Sequence, residues 1–171
     1  RTLTLQEVKK VPGLGGDAVK VVQALPGVAR PTFGMGDVIV RGAPTWDSEF
    51  FLDGVEIAQL YHFGGVKSTY NSDALESVDF YPGGFSTRYG SSIAGVVELK
   101  GRRPKTDRWH GAVDISTLDG SFLAEGPVNK KLSVMASARR SFVGDIIRLG
   151  VKKIDYNFGF TAYPFYWDYL M

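Results

Sequence analysis

The last third of the chain alternates between apolar and polar residues, and this alternation limits the fold more than any other feature of the sequence. In "WHGAVDIS", alternate positions hold Trp109, Gly111, Val113 and Ile115, with His110, Ala112, Asp114 and Ser116 between them. The segments "LSVMASARRS" and "YPFYWDYLM" repeat the pattern. A period of two residues is that of a β-strand with one apolar and one polar face. We therefore predict a run of antiparallel strands.

Two turn signals divide this region into four strands. Asp119-Gly120 is a dipeptide typical of two-residue hairpin turns. A second polar break, "NKK", follows at residues 129–131, and the strand "SFLAEGPV" lies between the two. The fourth strand, at the end of the chain, follows a loop after residue 141.

The apolar faces of these strands fit two environments. In a sandwich in water they would pack on a second sheet, whereas in an outer-membrane barrel they would face lipid, with aromatic residues at both interfaces and a polar lumen. Trp109, Phe165 and Trp167 are the candidate interface aromatics. Because the smallest membrane barrels have about eight strands, the barrel interpretation expects further strands after Met171. The sequence contains no apolar run of about 18 residues, so it predicts no transmembrane helix.

The first hundred residues predict a compact mixed α/β unit. Asp17 is a candidate N-cap for a short amphipathic helix over residues 17–25, and residues 37–42 predict a short buried strand. Asp53-Gly54 lies between two apolar runs and predicts a hairpin. The connector "GRRPKTDR" then changes the texture of the sequence. We predict one domain over residues 1–104 and a second over residues 105–171.

The sequence provides no convincing catalytic, metal or cofactor site. "GLGGDA", with Gly13, Gly15 and Ala18, lacks the buried strand that a dinucleotide fingerprint needs before it. "GSSIA" resembles a degenerate nucleophile elbow, but neither histidine of the chain occurs in the usual sequence order with an acid that could orient it. With two histidines and no cysteine, a metal centre is not expected. We predict a protein that is not an enzyme and uses no cofactor.

Positive charge is local and modest. The formal net charge is +2, and no aromatic platform interleaves the basic run Arg102, Arg103, Lys105 and Arg108. We therefore expect no nucleic-acid partner; the run is a solvated linker or lies beside lipid headgroups. Arg139-Arg140 either contacts lipopolysaccharide phosphates or is solvated or paired with a carboxylate, the second being the more common situation.

Four segments occur in an order that carries a resemblance. They are "DAVKVVQALPGV" (residues 17–28), "VIVRG" (38–42), "FLDGVEI" (51–57) and "ESVDFYPGGFSTRYGSSIAGVVELKGRRP" (76–104). Together with the alternating strands behind them, they resemble a TonB-dependent outer-membrane receptor. The fold implied by the resemblance is an α+β plug domain followed by antiparallel transmembrane β-barrel strands, here an incomplete barrel.

The resemblance also implies a ligand-facing surface on three apical loops of the plug. The residues expected there are Arg41, Trp46, Glu56, Gln59, Tyr61, His62, Arg88 and Tyr89. Arg41 is further expected to be buried against the barrel wall. Gly42, Gly54, Gly90 and Gly95 are expected to permit tight backbone paths.

The function implied by the resemblance is energised uptake of an unknown ligand across the bacterial outer membrane, with TonB as partner and lipid or lipopolysaccharide around the barrel. The segment that TonB pulls, the TonB box, is expected before Arg1. Two alternatives stay open at this point. One is a TonB-linked export port for protein substrates on the same fold, and the other is a β-rich surface interaction protein that transports nothing.

Overall fold

A computed structural model describes residues 2–8, 11, 17–30, 38–62, 65–153 and 164–171. The chain divides into two compact units, residues 1–102 and residues 103–171. Within the described residues, no helix is both long enough and apolar enough to cross a membrane. Gly13 and Gly15 of the rejected fingerprint lie outside the described residues, as does Asp37 at the start of the predicted strand 37–42.

The first unit is built mostly from short strands. In chain order its elements are β1 (Thr2–Thr4), α1 (Leu5–Val8), β2 (Val28–Ala29), β3 (Ile39–Val40), β4 (Ser48–Leu52), β5 (Val55–Ile57), β6 (Tyr61–His62), β7 (Lys67–Ser68), β8 (Leu75–Tyr81) and β9 (Gly95–Gly101). Short 3₁₀ helices cover Ala18–Ala24, Thr45–Asp47 and Ser72–Ala74.

A five-stranded sheet organises this unit, in the order β1-β8-β9-β4-β5. Strands β4 and β9 run parallel, and every other neighbouring pair is antiparallel. One face is apolar, because Val78 and Phe80 pair with Leu99 and Val97 and all four are buried. The opposite face carries Asp79 paired with Glu98. Because successive residues of a strand point to opposite faces, β8 and β9 give the sheet one apolar face and one face that carries charged side chains.

The predicted helix over residues 17–25 forms as the 3₁₀ helix Ala18–Ala24. Asp17 occupies the predicted N-cap position, but its side chain makes no cap hydrogen bond and instead accepts one from the Ser68 backbone N–H at 2.7 Å. Both Asp17 and the helix are buried. The carboxylate thus connects two distant segments, which the local sequence did not indicate.

The Asp53-Gly54 hairpin is confirmed between β4 and β5. Asp53 and Gly54 have φ values of 49° and 84°, and two successive left-handed residues are the requirement of the turn that matches strand twist. The strand predicted over residues 37–42 is shorter than expected, since only Ile39 and Val40 pair, with Ala29 and Val28 of β2.

The second unit contains the predicted four-stranded antiparallel sheet, in the order β10-β11-β12-β13. Its elements are β10 (His110–Ile115), β11 (Asp119–Asn129), β12 (Leu132–Ser141), the helix α2 (Val143–Lys153) and β13 (Trp167–Leu170). The helix falls where the sequence analysis expected only a loop. The predicted turn at "NKK" is confirmed, and the Asn129 side chain accepts hydrogen bonds from Lys131 N and Leu132 N.

The predicted turn at Asp119-Gly120 is wrong by two residues. Both residues belong to β11, where Gly120 pairs with Ile115, and the chain turns at residues 117–118. Ser116 builds this turn, because its Oγ accepts hydrogen bonds from Leu118 N and Asp119 N. A shift of two residues leaves every side chain on its predicted face.

Candidate functional site

Three loops of the first unit meet at one end of its sheet. Strands β4 and β9 start at this end, and β5 and β8 finish there. The loops before β4, after β5 and between β8 and β9 are therefore neighbours. Asp47 O accepts hydrogen bonds from Ile93 N and Ala94 N at 3.2 and 3.0 Å, which fastens the first loop to the third. We call this the loop end of the five-stranded sheet.

Several predicted ligand-facing side chains are accessible there. Trp46 is 82% exposed, and Glu56, Gln59 and Arg41 are also exposed. His62 is half-buried, and its Nδ1 lies 3.3 Å from Gln59 Nε2. The expected burial of Arg41 against a barrel wall stays a prediction.

Tyr61 and Tyr89 do not project from the surface as predicted. They are 2% and 5% exposed, and both hydroxyls are engaged within the unit. The Tyr61 hydroxyl donates to Val19 O at 2.8 Å, so this ring fixes the buried 3₁₀ helix. Aromatic residues near a turn carry no signal that separates an exposed ring from a packed one, which is why the sequence misplaced them.

Glu98 organises the loop between β8 and β9. Its side chain is 7% exposed and accepts a hydrogen bond from the Tyr89 hydroxyl at 2.7 Å. The Glu98 carboxylate also forms an ion pair with Arg88, whose Nη2 lies 3.1 Å from Oε1. The Arg88 guanidinium also lies over the Tyr89 ring, 4.9 Å from its centroid. Burial, together with the neighbouring Glu98 carboxylate, raises the pKa of Tyr89 to about 12. The hydroxyl is therefore a firm donor at physiological pH.

An aromatic cluster also holds the loop between β8 and β9 against the sheet. The Tyr89 ring packs at centroid distances of 4.9 Å from Phe51, 5.9 Å from Tyr81 and 6.4 Å from Phe85. Val96 completes the buried cluster. The loop thus folds back over the polar face of the sheet, and the buried Glu98 lies beneath it. A lone glutamate inside the apolar run "GVVELK" was the sequence signal for this role.

Three of the four predicted structural glycines are needed where they stand. Gly42 and Gly54 have φ values of 78° and 84°, which disfavour any side chain. A Cβ on Gly95 would lie 3.0 Å from a Val40 methyl group and 3.3 Å from Tyr81 O. Gly90 is the exception, because its nearest neighbour would be 3.7 Å away and its φ is ordinary. The prediction that Gly90 permits a tight path is wrong.

A cavity of about 340 Å³ lies beside the first loop, and Trp46, Ser48, Glu49 and Glu56 are among its lining residues. Glu49 and Glu56 share one face of the β4–β5 hairpin, since Glu56 pairs with Phe51 and Glu49 lies two residues before it. Burial, and then the nearby Glu56 charge, raise the pKa of Glu49. The sequence did not indicate Glu49 or Ser48, because the residues of a strand give no sign of the cavity beside it.

An ion pair joins β8 to β9 on the same polar face. Asp79 is buried and bonded to the partly exposed Lys100. Burial opposes ionisation of Asp79, but hydrogen bonds from Lys100 and Thr2 outweigh it and lower the pKa of this carboxyl. The hydrogen bond to Asp79 raises the pKa of Lys100.

These two shifts set a pH dependence. Asp79 stabilises the first unit above its unfolded pKa, about 3.9, and loses that contribution as pH falls through its lower folded value. Lys100 contributes below its unfolded pKa, about 10.4, and loses that contribution at higher pH. We expect Lys100→Met to weaken β8–β9 by about 1–2 kcal/mol between pH 5 and 9. The penalty should vanish in acid. Hydrogen exchange of β8 and β9 amides, corrected for intrinsic rates, measures it; a penalty unchanged at pH 2 would contradict the assignment.

The sheet of the second unit exposes its apolar side. Exposed residues on or beside its strands are Trp109, Val113, Ile115, Phe122, Leu132, Phe165, Trp167 and Tyr169. Several polar residues of β11 and β12 are buried instead: the Tyr166 hydroxyl donates to Asp119 Oδ2 at 2.7 Å, and the buried Arg139 pairs with Asp168 across β12 and β13. Both arginines of Arg139-Arg140 therefore pair with a carboxylate, as the second alternative expected: Arg139 is buried and paired with Asp168, whereas Arg140 is exposed and paired with Asp145.

No group of three or more potential metal ligands occurs among the residues that the structure describes. The second histidine, His110, is the first residue of β10, and its Nε2 lies 2.9 Å from Oδ1 of the exposed Asp107. This contact joins the linker to the first residue of β10.

Comparison with known families identifies the first unit. The model of the TonB-dependent receptor plug domain matches residues 2–97, more than half of the chain. The chain belongs to the TonB-dependent receptor family. No curated protein sequence matches it significantly. The resemblance inferred from the ordered motifs is thus confirmed.

Solved receptors of this family share the fold of both units. A ferric enterobactin receptor mutant, PfeA of Pseudomonas aeruginosa, matches with a TM-score of 0.58 and 18% identity, over 82% of this chain and 24% of its own length. The siderophore receptor PirA of the same organism matches with a TM-score of 0.57 and 22% identity, over 82% and 27%. The outer membrane transporter YddB of Escherichia coli gives 0.55 and 12%, over 82% and 26%.

At these identities the likeness concerns the fold. The chain spans about a quarter of the length of these receptors. The predicted fold class, a plug domain followed by antiparallel strands of a barrel that is not closed within these residues, is confirmed.

Proposed function

We propose that this TonB-dependent receptor imports a ligand across the bacterial outer membrane, with residues 1–104 as the gating plug and residues 105–171 as the first barrel strands. The observation that carries the proposal is the distribution of side chains on β11–β13 of the second unit, where Phe122, Trp167 and Tyr169 are exposed while Asp119, Glu125 and Arg139 are buried. A sheet with this distribution suits lipid on the outside and a polar interior.

The plug supplies the gating element in this proposal. Ligand contacts the exposed side chains at the loop end of the five-stranded sheet, with Trp46, Glu56 and Arg88 as the foremost candidates. TonB supplies the energy by pulling a segment N-terminal to the plug. Trp109, Phe165 and Trp167 lie at the membrane interfaces, and the exposed Arg140 is the group available to lipopolysaccharide phosphate.

Uptake measurements test the proposal. Cells carrying the full-length receptor should accumulate radiolabelled iron from a panel of ferric siderophores, or labelled cobalamin, only when TonB is intact. Matched cells lacking TonB control for passive leakage. Uptake of the transported compound at equal rates in both strains would contradict TonB-driven import.

Fractionation tests the location separately. We expect the full-length protein in the outer-membrane fraction and soluble only with detergent. Recovery from the cytosol or the medium without detergent would contradict the membrane assignment and favour a surface interaction protein.

A further inference from the structure

The helix α2 is attached to the apolar face of the second sheet. Arg140 pairs with Trp167 across β12 and β13, and its guanidinium lies 5.3 Å from the centroid of that indole. Because side chains alternate along a strand, both residues lie on the face opposite to the buried Arg139. Asp145, in the first turn of α2, binds Arg140 Nη2 at 3.2 Å. The helix therefore begins beside the exposed aromatic residues of the sheet.

The accessible surface of α2 combines an apolar strip and a polar strip. Ile146 and Leu149 are 51% and 66% exposed, and residues three apart lie on the same side of a helix. Asp145 and Arg148, also three apart, line a cavity of about 290 Å³ together with Arg140. The polar strip thus lies toward the end of β12, and the apolar strip lies beside it without being packed.

The charge of α2 indicates what kind of surface could cover the apolar strip. The helix contains three basic residues, Arg148, Lys152 and Lys153, and one acidic residue, Asp145. A helix that combines exposed apolar residues with basic ones is typical of helices that lie in the plane of a membrane interface. Anionic lipid headgroups complement such a helix, whereas a purely apolar protein surface would leave its positive charges unpaired.

The position of α2 in the sheet agrees with this. The connection between β11 and β12 consists of residues 130–131, whereas that between β12 and β13 spans residues 142–166 and contains α2. Outer-membrane barrels have short turns on the periplasmic side and longer connections outside. Strands that complete a barrel would pair with the edges of the sheet, β10 and β13, and would leave its apolar face open to lipid.

We propose that α2 lies in the lipid–water interface of the outer leaflet and contacts lipopolysaccharide. Ile146 and Leu149 insert among the acyl chains, while Arg148 and Arg140 lie at the level of the headgroup phosphates. Trp167, under the Arg140 guanidinium, lies at the same interface. The inference rests on the proposed function, because it needs the apolar face of the second sheet to face lipid. It assigns the connection between β12 and β13 to the membrane surface.

Spin-label accessibility in the full-length receptor tests this. The chain has no cysteine, so Ile146→Cys and Leu149→Cys each place one nitroxide label once any cysteine elsewhere in the receptor is replaced by serine. The labelled receptor is reconstituted into vesicles of phosphatidylethanolamine and lipopolysaccharide. We expect both labels to collide often with oxygen and rarely with a polar nickel chelate. Frequent collision with the chelate, which indicates water, or rare collision with either, which indicates a protein cover, would overturn the proposal.

Two further positions calibrate the measurement. Lys130→Cys, in the exposed turn between β11 and β12, reports water, and Val113→Cys, on the exposed apolar side of β10, reports lipid. The ratio of oxygen to chelate accessibility at Leu149 should exceed that at Lys130 roughly tenfold, because oxygen prefers hydrocarbon and the chelate prefers water. Lipid contact at Val113 but not at Leu149 refutes only the position of α2. Water at Val113 refutes the membrane assignment itself.

A charge variant tests the contact with the headgroups. Arg148→Gln should lower the accessibility ratio at Leu149 about twofold in the lipopolysaccharide vesicles, because it removes one attraction to the anionic surface. In vesicles of phosphatidylcholine, which have no net surface charge, it should leave the ratio unchanged. Equal effects of Arg148→Gln in the two kinds of vesicle, including no effect in either, would overturn the assignment of the basic residues to lipopolysaccharide.

Discussion

Replacing Glu98 with alanine is expected to release the loop between β8 and β9 from the sheet. The change removes the acceptor of the buried Tyr89 hydroxyl and the partner of Arg88. Hydrogen bonds to a charged group contribute about 1.5–3 kcal/mol and the partly exposed ion pair up to about 1. The local opening free energy should fall by about 2–4 kcal/mol, so amides at residues 85–98 should exchange roughly 30- to 1000-fold faster.

Two matched variants separate the contributions to this attachment. Glu98→Gln keeps an acceptor for Tyr89 and loses only the charge, so it should cost about half as much as Glu98→Ala. Arg88→Ala should cost less than about 1 kcal/mol, since the arginine side chain is 56% exposed. An effect of Arg88→Ala as large as that of Glu98→Ala would show that the ion pair, not the tyrosine, fastens the loop.

Gly95→Ala is expected to destabilise the plug by about 1–3 kcal/mol, the usual cost of overpacking a core. The added methyl group would meet both Val40 methyl groups at 3.0 and 3.1 Å and the Tyr81 carbonyl oxygen at 3.3 Å. Backbone at Tyr81 cannot yield without disturbing the β8–β9 pairing. Hydrogen exchange of β9 in the full-length receptor measures the loss.

A second substitution tests the cause of that loss. Val40→Ala removes the closest methyl groups. The destabilisation of the double variant should therefore be smaller, by about 1 kcal/mol, than the sum of the destabilisations of the two single variants. Gly90→Ala is the matched control, because a Cβ there meets nothing closer than 3.7 Å. Strict additivity of Gly95→Ala and Val40→Ala would contradict the proposed clash.

The same dipeptide had two outcomes in this chain, which shows where sequence reasoning stops. Asp53-Gly54 forms the turn that its residues favour, with both φ values positive. Asp119-Gly120 lies in β11, because Asp119 is bonded to Ser116 and to Tyr166, 47 residues away. Asp53 also has a distant partner, since its Oδ1 accepts a hydrogen bond from Gly101 N, 48 residues away, so the dipeptide by itself does not decide where a turn falls.

For the candidate site, too, the sequence predicted local structure but not the contacts between residues that are distant in the chain. Alternation and motif order predicted the sheet, the faces of the second unit and the position of the three loops. They could not predict that Tyr61 and Tyr89 are buried, because that depends on the Val19 carbonyl and on Glu98 in other elements. Glu49 and Ser48 became candidates only when β4 and β5 closed a cavity.

The outermost position of β1 gives the plug a built-in order of mechanical failure. Three residues of β1 pair with β8, and among the residues that the structure describes no strand pairs with the other edge of β1. A pull on the chain ahead of Thr2 would detach this short ribbon while the four remaining strands kept their mutual bonds. The first event under a pulling force would therefore be the reversible detachment of β1 from β8, before the rest of the plug unfolds.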